Sequence, residues 1–271
     1  MPKQLVVNAD DFGFTPDVNQ GIVDAHLRGI LTATTLMANG AAFDDAVRLA
    51  RETPTLDIGC HLVLVGGNSL VSERPLPLTT TELLGALALR RIRPYDELRP
   101  QIERIAAAGV RPTHLDTHKH THLLPPVLEA VARLAEEFGI GWVRRPFDLP
   151  MGTLGRVVPS KVRAASRAMA VVEGRFRRVL KKHGCRATDH FAGFQITGRF
   201  GIEELVDLIG MLPEGSTELM CHPGYYTEAL RNARTRLKKS RERELQALMA
   251  GAVRAAAKRN GIALVGYGGL G

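Results

Sequence analysis

Short β-branched apolar runs alternate along the chain with longer stretches whose apolar residues recur at helical spacing, and Gly, Asn or Pro marks most junctions. Leu5-Val6-Val7 predicts a buried first strand that opens into the acidic segment Asn8-Ala9-Asp10-Asp11-Phe12-Gly13. Thr15 as N-cap with Pro16 behind it predicts a helix over 17–28, with Val18, Ile22 and Ala25 or His26 on its inner stripe. A strand over 30–37, a helix over 43–51 and a strand over 56–62 follow, the last delivering His61 near its C-terminal end. Residues 66–80 read as a long loop, and 82–91 and 95–108 as helices. The histidine-rich stretch 113–124 reads as strand four, 125–138 as a helix and 140–145 as strand five, ending in Arg144-Arg145-Pro146. Strands over 191–197, 217–221 and 262–265 and helices over 202–211 and 239–259 complete the pattern.

Strands and helices alternate over the whole length with no repeat or linker, which predicts one α/β domain over 1–271 with a parallel sheet. Polar residues gather where strands end: Asp10-Asp11, His61, Asp116-His118, Arg144-Arg145 and His222. A doubly wound sheet would gather them at one switch point, so the distribution predicts an irregular, TIM-barrel-like (β/α) barrel with its site on the C-terminal face. Neither a dinucleotide fingerprint nor a P-loop is present.

Composition changes this picture little. Hydrophobic content of 45% and charged content of 24% are those of an ordinary globular enzyme, and 5% aromatics argue against stacking platforms, so no nucleic-acid partner is expected. Three cysteines, Cys60, Cys185 and Cys221, are too few and too odd for a disulfide framework. With no signal-peptide pattern and no long apolar run, a cytoplasmic protein is expected. Cys60 and Cys221 each precede a strand-end histidine and are expected to pack on the opposite face. The net charge of +8 is concentrated: residues 156–186 hold ten Lys or Arg, Arg156 among them, against the single acid Glu173. A basic helical insertion is expected there.

Candidate chemistry centres on Thr113-His114-Leu115-Asp116-Thr117-His118-Lys119-His120-Thr121-His122, which holds four of the nine histidines. On an extended strand His114, Asp116, His118, His120 and His122 would share one face, which no hydrophobic core accepts but a divalent metal or acid–base chemistry would use. Asp10, Asp11, His61 and His118 together make a candidate metal site with a base attached, because a carboxylate and two imidazoles leave positions open for water and substrate. An Asx-turn after strand one is the plain alternative for Asp10-Asp11.

Four stretches, Val7 through Gly13, Ile58-Gly59-Cys60-His61-Leu62, Pro112 through His122 and Met220-Cys221-His222-Pro223, resemble the YdjC/ChbG carbohydrate deacetylase family. The resemblance implies a TIM-barrel-like fold and removal of acetyl groups from N-acetylated amino sugars with one divalent ion, magnesium or zinc. It matches Asp11, His61 and His118 to the metal ligands and Asp10 to the general base. It also likens His222 to the histidine that protonates the leaving amine in related polysaccharide deacetylases. Asp116 and Arg144 or Arg145 look like residues that orient base or ligand, and His120 and His122 are left with substrate-pocket or structural roles. The basic segment is similar to one in the hopanoid-associated (HpnK-like) branch, whose substrate is a lipid carrying N-acetylglucosamine. That likeness implies a lipid-linked substrate and peripheral contact with anionic membrane at the inner membrane surface, against the alternative of a solvated basic helix. A homodimer is compatible with the sequence. Rival functions are a phosphoesterase, which would hold two or three metals and recruit His120 and His122, another amidase on the same barrel, and a non-catalytic sugar- or lipid-binding barrel.

Overall fold

The structure, a computed structural model, describes residues 2–151, 154 and 158–270. Arg156, counted in the basic segment, lies outside the described residues. The organising strand is β1 (Lys3–Phe12), buried on both faces from Leu5 onward. It pairs in parallel with β7 (Gly215–Cys221) along Lys3 to Ala9, with β8 (Ile262–Leu264) at its start and with β2 (Ala33–Leu36) near its end. Outward from β2 lie β3 (Asp57–Leu62), β4 (His114–Thr117) and β5 (Trp142–Val143), and beyond β7 lies β6 (His190–Ala192). The order is β5-β4-β3-β2-β1-β7-β6, all parallel. The sheet curls until its edges meet through isolated backbone bonds: Val143 N–H donates to Arg186 O at 2.9 Å, Arg186 N–H to Gly141 O at 2.8 Å, and Leu149 N–H to Phe191 O at 2.7 Å. The result is the expected irregular (β/α) barrel.

The helices are α1 (Pro16–Arg28), α2 (Phe43–Glu52), α3 (Thr80–Ala88), α4 (Pro94–Ala107), α5 (Pro125–Glu137), α6 (Ser160–Ala170), α7 (Glu173–Lys182), α8 (Ile202–Met211), α9 (Glu228–Asn232), α10 (Lys239–Met249) and α11 (Gly251–Arg259). Thr15 caps α1 as expected, its Oγ1 accepting from Val18 N–H at 3.3 Å. Strand alternation sorts the side chains. Leu5, Val7 and Ala9 join the helix-facing core, as do Cys60 and Cys221, whereas Val6 packs inside the barrel with Ala33, Trp142, Tyr267 and Leu270. Above that small apolar floor the barrel interior is polar: Asn8, Asp10, His61, His114, Asp116, Arg144 and Glu218 are all buried there. Gly59 makes the room, since a Cβ on it would lie 2.4 Å from His114 O and 2.7 Å from the His114 ring, which stacks on Tyr267 at 3.9 Å. No described helix is long and apolar enough to cross a membrane.

Several expectations are corrected. Strand four stops at Thr117, and His118–Leu123 forms a 3₁₀ turn with Lys119 (φ 56°) and His120 (φ 51°) in left-handed conformation. Pairing to β3 runs out at Thr117, and Thr117 Oγ1 accepts His122 N–H at 3.0 Å to close the turn into α5. His118, His120 and His122 therefore do not continue one strand face. The expected strand over 191–197 is three residues long, because the N–H groups of Gly193, Phe194 and Gln195 bond the Asp148 carboxylate (2.9, 3.1 and 2.7 Å) instead of a neighbouring strand. The helix expected over 239–259 breaks at Ala250, whose ψ of 132° is extended, into α10 and α11. The basic segment is two helices, α6 and α7, joined at Val171-Val172.

Candidate active site

Consecutive residues of a regular strand point to opposite faces, so Asp10 and Asp11 should not share a pocket. They share one because β1 changes register between Ala9 and Phe12, with Asp11 at φ 71°. A left-handed aspartate costs of order 1–3 kcal/mol. The turn is held by Phe14 N–H donating to Asp11 O (3.0 Å) and Gly13 N–H donating to Asn19 Oδ1 of α1 (2.6 Å).

The bulge sends the two carboxylates to different partners. Asp11 Oδ1 lies 3.4 Å from His61 Nε2 and 3.3 Å from His118 Nδ1, and those two nitrogens are 3.2 Å apart. Asp11 Oδ2 is bonded by Arg241 Nη2 of α10. Asp10 instead takes a two-pronged bond from Arg144, Nη1 to Oδ2 at 2.9 Å and Nη2 to Oδ1 at 2.7 Å, with His222 Nε2 3.7 Å from Oδ2. Burial alone would raise the Asp10 pKa, but Arg144, with His61 and His222, holds it well below the usual carboxylate range.

His61 is oriented from behind. Its Nδ1 is 2.7 Å from Asp116 Oδ1, and a carboxylate only accepts, so Nδ1 carries a proton and Nε2 is the nitrogen turned toward Asp11 and His118. Against burial, Asp116 and Asp11 push the His61 pKa up to about 10, and a bound cation would take the place of the Nε2 proton. Asp116 is itself fixed by Thr35 Oγ1 (3.1 Å) and Arg144 Nη1 (2.6 Å). His118, first residue of the 3₁₀ turn, is the most open of the three, with its side chain 28% exposed.

Ligand atoms spaced 3.2–3.4 Å match the edge of a tetrahedron about an ion held at about 2.0–2.1 Å, an edge of about 3.4 Å. Asp11 Oδ1 is buried with no hydrogen-bond partner among the described residues, and an ion would supply one. Asp11, His61 and His118 thus fit a divalent metal. Asp10, His61 and Asp116 form a second cluster of metal-capable atoms, but there the Arg144 guanidinium already binds Asp10 and Asp116, and its Nε binds Glu218 at 2.6 Å. One cluster is open to a cation; the other holds an organic one.

His222, at the end of β7, is buried; burial, with Arg241 and Arg144 assisting against Asp10, pushes its pKa down to about 4. Its backbone N–H donates to Glu244 Oε2 at 2.6 Å, and its Nδ1 has no hydrogen-bond partner among the described residues. The remaining residues of the histidine stretch are elsewhere. His122 Nδ1 meets Thr117 Oγ1 at 2.6 Å and its Nε2 meets Arg144 O at 3.1 Å, so it braces the strand that carries Arg144. Burial and Arg144 lower its pKa to about 3. His120 packs against Phe191 and Phe194. His114 sits on the barrel floor, its Nε2 2.9 Å from Asn8 Oδ1. Of the two adjacent arginines only Arg144 meets the base; Arg145 bonds Asp189 O (2.8 Å) and Glu173 (2.6 Å), clasping α7 to the β6 side. Sequence reasoning missed Arg241, Glu244 and Glu218. A lone acid inside the β7 run Thr217-Glu218-Leu219 was the one available signal; Arg241 and Glu244 look like any other charges on a helix.

Fold and site together define a (β/α)-barrel protein with a buried, arginine-clamped carboxylate beside a cluster able to hold one divalent cation. A family model for YdjC-like proteins matches residues 4–259, and the chain belongs to that family. Over 99% of its length it is 34% identical to a carbohydrate deacetylase of Brevibacillus brevis, all of which is covered. It is 35% identical to a chitooligosaccharide deacetylase of Salmonella typhimurium over 86% of each chain. A solved structure described as a proposed cellobiose-phosphate cleavage protein, from Enterococcus faecalis, matches 99% of this chain and 98% of its own with a TM-score of 0.76 and 25% identity. A lactam utilization protein from Thermus thermophilus shares the fold alone, at a TM-score of 0.51 and 15% identity over 97% and 99% of the chains.

Proposed function

We propose that the chain is a hydrolase that removes the N-acetyl group from an amino sugar and uses one divalent cation held by Asp11, His61 and His118. The observation that carries this reading is the β1 bulge, which gives one aspartate to the His61–His118 cluster and its neighbour to Arg144 and His222. The name carbohydrate deacetylase, borne by a relative 34% identical over the full length, supports it. Two imidazoles and one carboxylate favour zinc or another first-row ion over magnesium. When bound, such an ion polarises the acetamide carbonyl and makes water a nucleophile near neutral pH.

The chain's own residues manage the proton. Asp10 is ionised, and Arg144 fixes both its oxygens, which aims the carboxylate at the attacking water while lowering its proton affinity, so a proton it accepts is readily passed on. His222, with a pKa of about 4, is neutral at rest. Its Nε2, 3.7 Å from Asp10 Oδ2, is placed to take that proton over and deliver it to the nitrogen as the C–N bond breaks and acetate leaves. The test is acetate release from chitobiose, N-acetylglucosamine and a glycolipid bearing N-acetylglucosamine, with metal content measured alongside. Release from none of them overturns the reading. A phosphoesterase would bring two or three ions, so more than one tightly bound ion per chain, together with phosphate-ester cleavage, would favour that rival.

For the remainder of the substrate we propose a lipid carrier met at an anionic surface. Val71, Leu78, Leu84 and Leu89, exposed by 49–62%, lie on the excursion after β3, which touches the metal-ligand turn through Lys119 Nζ donating to Leu78 O at 3.1 Å. Val171, 83% exposed, tips the α6–α7 pair among Arg167, Arg175 and Arg178, and α6 buries none of its residues. Co-sedimentation with vesicles should require anionic lipid and weaken with salt; no binding at low salt removes this proposal and leaves the deacetylase reading intact.

A further inference from the structure

α10 reads in sequence as part of a charged helix, yet two of its charged residues are among the most buried in the protein. Arg241 is 1% exposed and Glu244 0%. They lie three residues apart, hence on one helix face, and each reaches a different half of the site. Arg241 donates through Nη2 to Asp11 Oδ2 while its Nε donates to Leu237 O at 3.2 Å, so the guanidinium plane is tied to the segment that leads into α10 before it meets the carboxylate. Glu244 accepts His222 N–H through Oε2 at 2.6 Å and Gly198 N–H through Oε1 at 2.7 Å. The chain just after His222 also packs close to Arg241: a Cβ on Gly224, two residues after His222, would lie 3.5 Å from the Arg241 Cδ and 3.2 Å from Val18 of α1.

We infer that α10 is the positioning element of the site, with Arg241 presenting Asp11 as a one-oxygen ligand and Glu244 setting the backbone from which His222 reaches Asp10. This inference rests on the proposed metal-dependent hydrolysis. Asp11 occupies a left-handed backbone conformation with both oxygens close to side-chain nitrogens. With Oδ2 fixed by Arg241, Oδ1, the oxygen without a hydrogen-bond partner, is left facing His61 and His118. Neutralising the buried carboxylate would need only a positive charge. Holding it in one orientation while bonding Leu237 O needs the planar fork, which lysine lacks. Glu244 acts separately: burial pushes its pKa up to about 7, and in either protonation state its two oxygens accept the two backbone N–H groups.

The test uses the full chain stripped of metal and titrated with Zn²⁺ against a chromophoric chelator, with steady-state kinetics in parallel. Arg241→Lys and Arg241→Met should both weaken the Zn²⁺ Kd by about 10–100-fold, the range for losing a group that orients a ligand. Glu244→Gln should leave that Kd unchanged and lower kcat, with KM little altered. Wild-type affinity in Arg241→Lys would mean that charge alone matters and would overturn the positioning role, even if Arg241→Met fails to fold. A Glu244→Gln enzyme that loses Zn²⁺ affinity as Arg241→Lys does would overturn the division of labour. A wild-type chain that binds no Zn²⁺ overturns the metal-site reading itself, and the inference with it.

Discussion

The two sides of the barrel are built differently. From β1 to β4 the strands pair in parallel ladders, broken at the β1 bulge, and this side supplies Asp10, Asp11, His61, Asp116 and, directly after β4, His118. β5 and β6 are two and three residues long, and among the described residues they are linked through isolated bonds to each other's flanking segments, β5 to Arg186 and β6 to Asp148 and Leu149. There the chain is held by side chains: the Asp148 carboxylate gathering three N–H groups, and Arg145 bridging Glu173 and Asp189 O. Groups that must keep their spacing to a few tenths of an ångström sit on the laddered side. The loosely joined side carries α6 and α7. Arg144 stands at the seam, one residue past β5, and ties the sides together through Asp10, Asp116 and Glu218.

The sharpest way to break this contrast is at the laddered side. Asp10→Asn should lower kcat for acetate release by about 10²–10⁴-fold while metal content stays at the wild-type level, as atomic absorption would verify. Activity near wild type would remove Asp10 as the base. Next comes the seam: Arg144→Leu strands three carboxylates in a buried site and should cost about 3–5 kcal/mol in urea unfolding. A smaller effect is expected on the loosely joined side. Asp148 has its pKa raised to about 6, chiefly by burial and against three N–H bonds. The folded state therefore binds a proton more tightly than the unfolded one. That contribution is complete below the unfolded pKa of about 3.9 and is lost as pH rises through about 6. The stability advantage of wild type over Asp148→Asn should shrink by about 1–2 kcal/mol between pH 4 and pH 7, with the metal Kd unchanged. An advantage that grows with pH would reverse the assignment. Least affected should be Val171→Ser: stability within about 0.5 kcal/mol and unaltered turnover of a soluble substrate, but weaker vesicle binding.

Much of the contrast is visible only in three dimensions. Asp10, Asp11, His61, His118 and His222 stand out in the sequence because polar residues at the ends of apolar runs are conspicuous, and the structure brings all five to one mouth. The alternation of His114, Asp116, His118, His120 and His122 suggested five groups on one face, yet the face ends at Thr117. How far a strand extends depends on how much neighbour it has to pair with, and β5 offers only two residues.

What the chain determines by itself is local: the β-branched runs that become strands, the Thr15-Pro16 start of α1, the glycines where helices end, and the order in which chemistry-bearing residues are delivered to strand ends. Each rests on interactions within a few residues, so periodicity and capping reveal it. Tertiary structure decided the rest. Whether Asp11 turns left-handed depends on strands pairing with both edges of β1. Whether Arg241 is solvated or buried against Asp11 depends on a partner 230 residues away. Whether Arg144 is one more surface cation or the centre of three carboxylates depends on the sheet curling until β1, β4 and β7 surround it. A charge carries no mark of its partner in the sequence, and burial, which makes the pairing obligatory, exists only after the chain has folded.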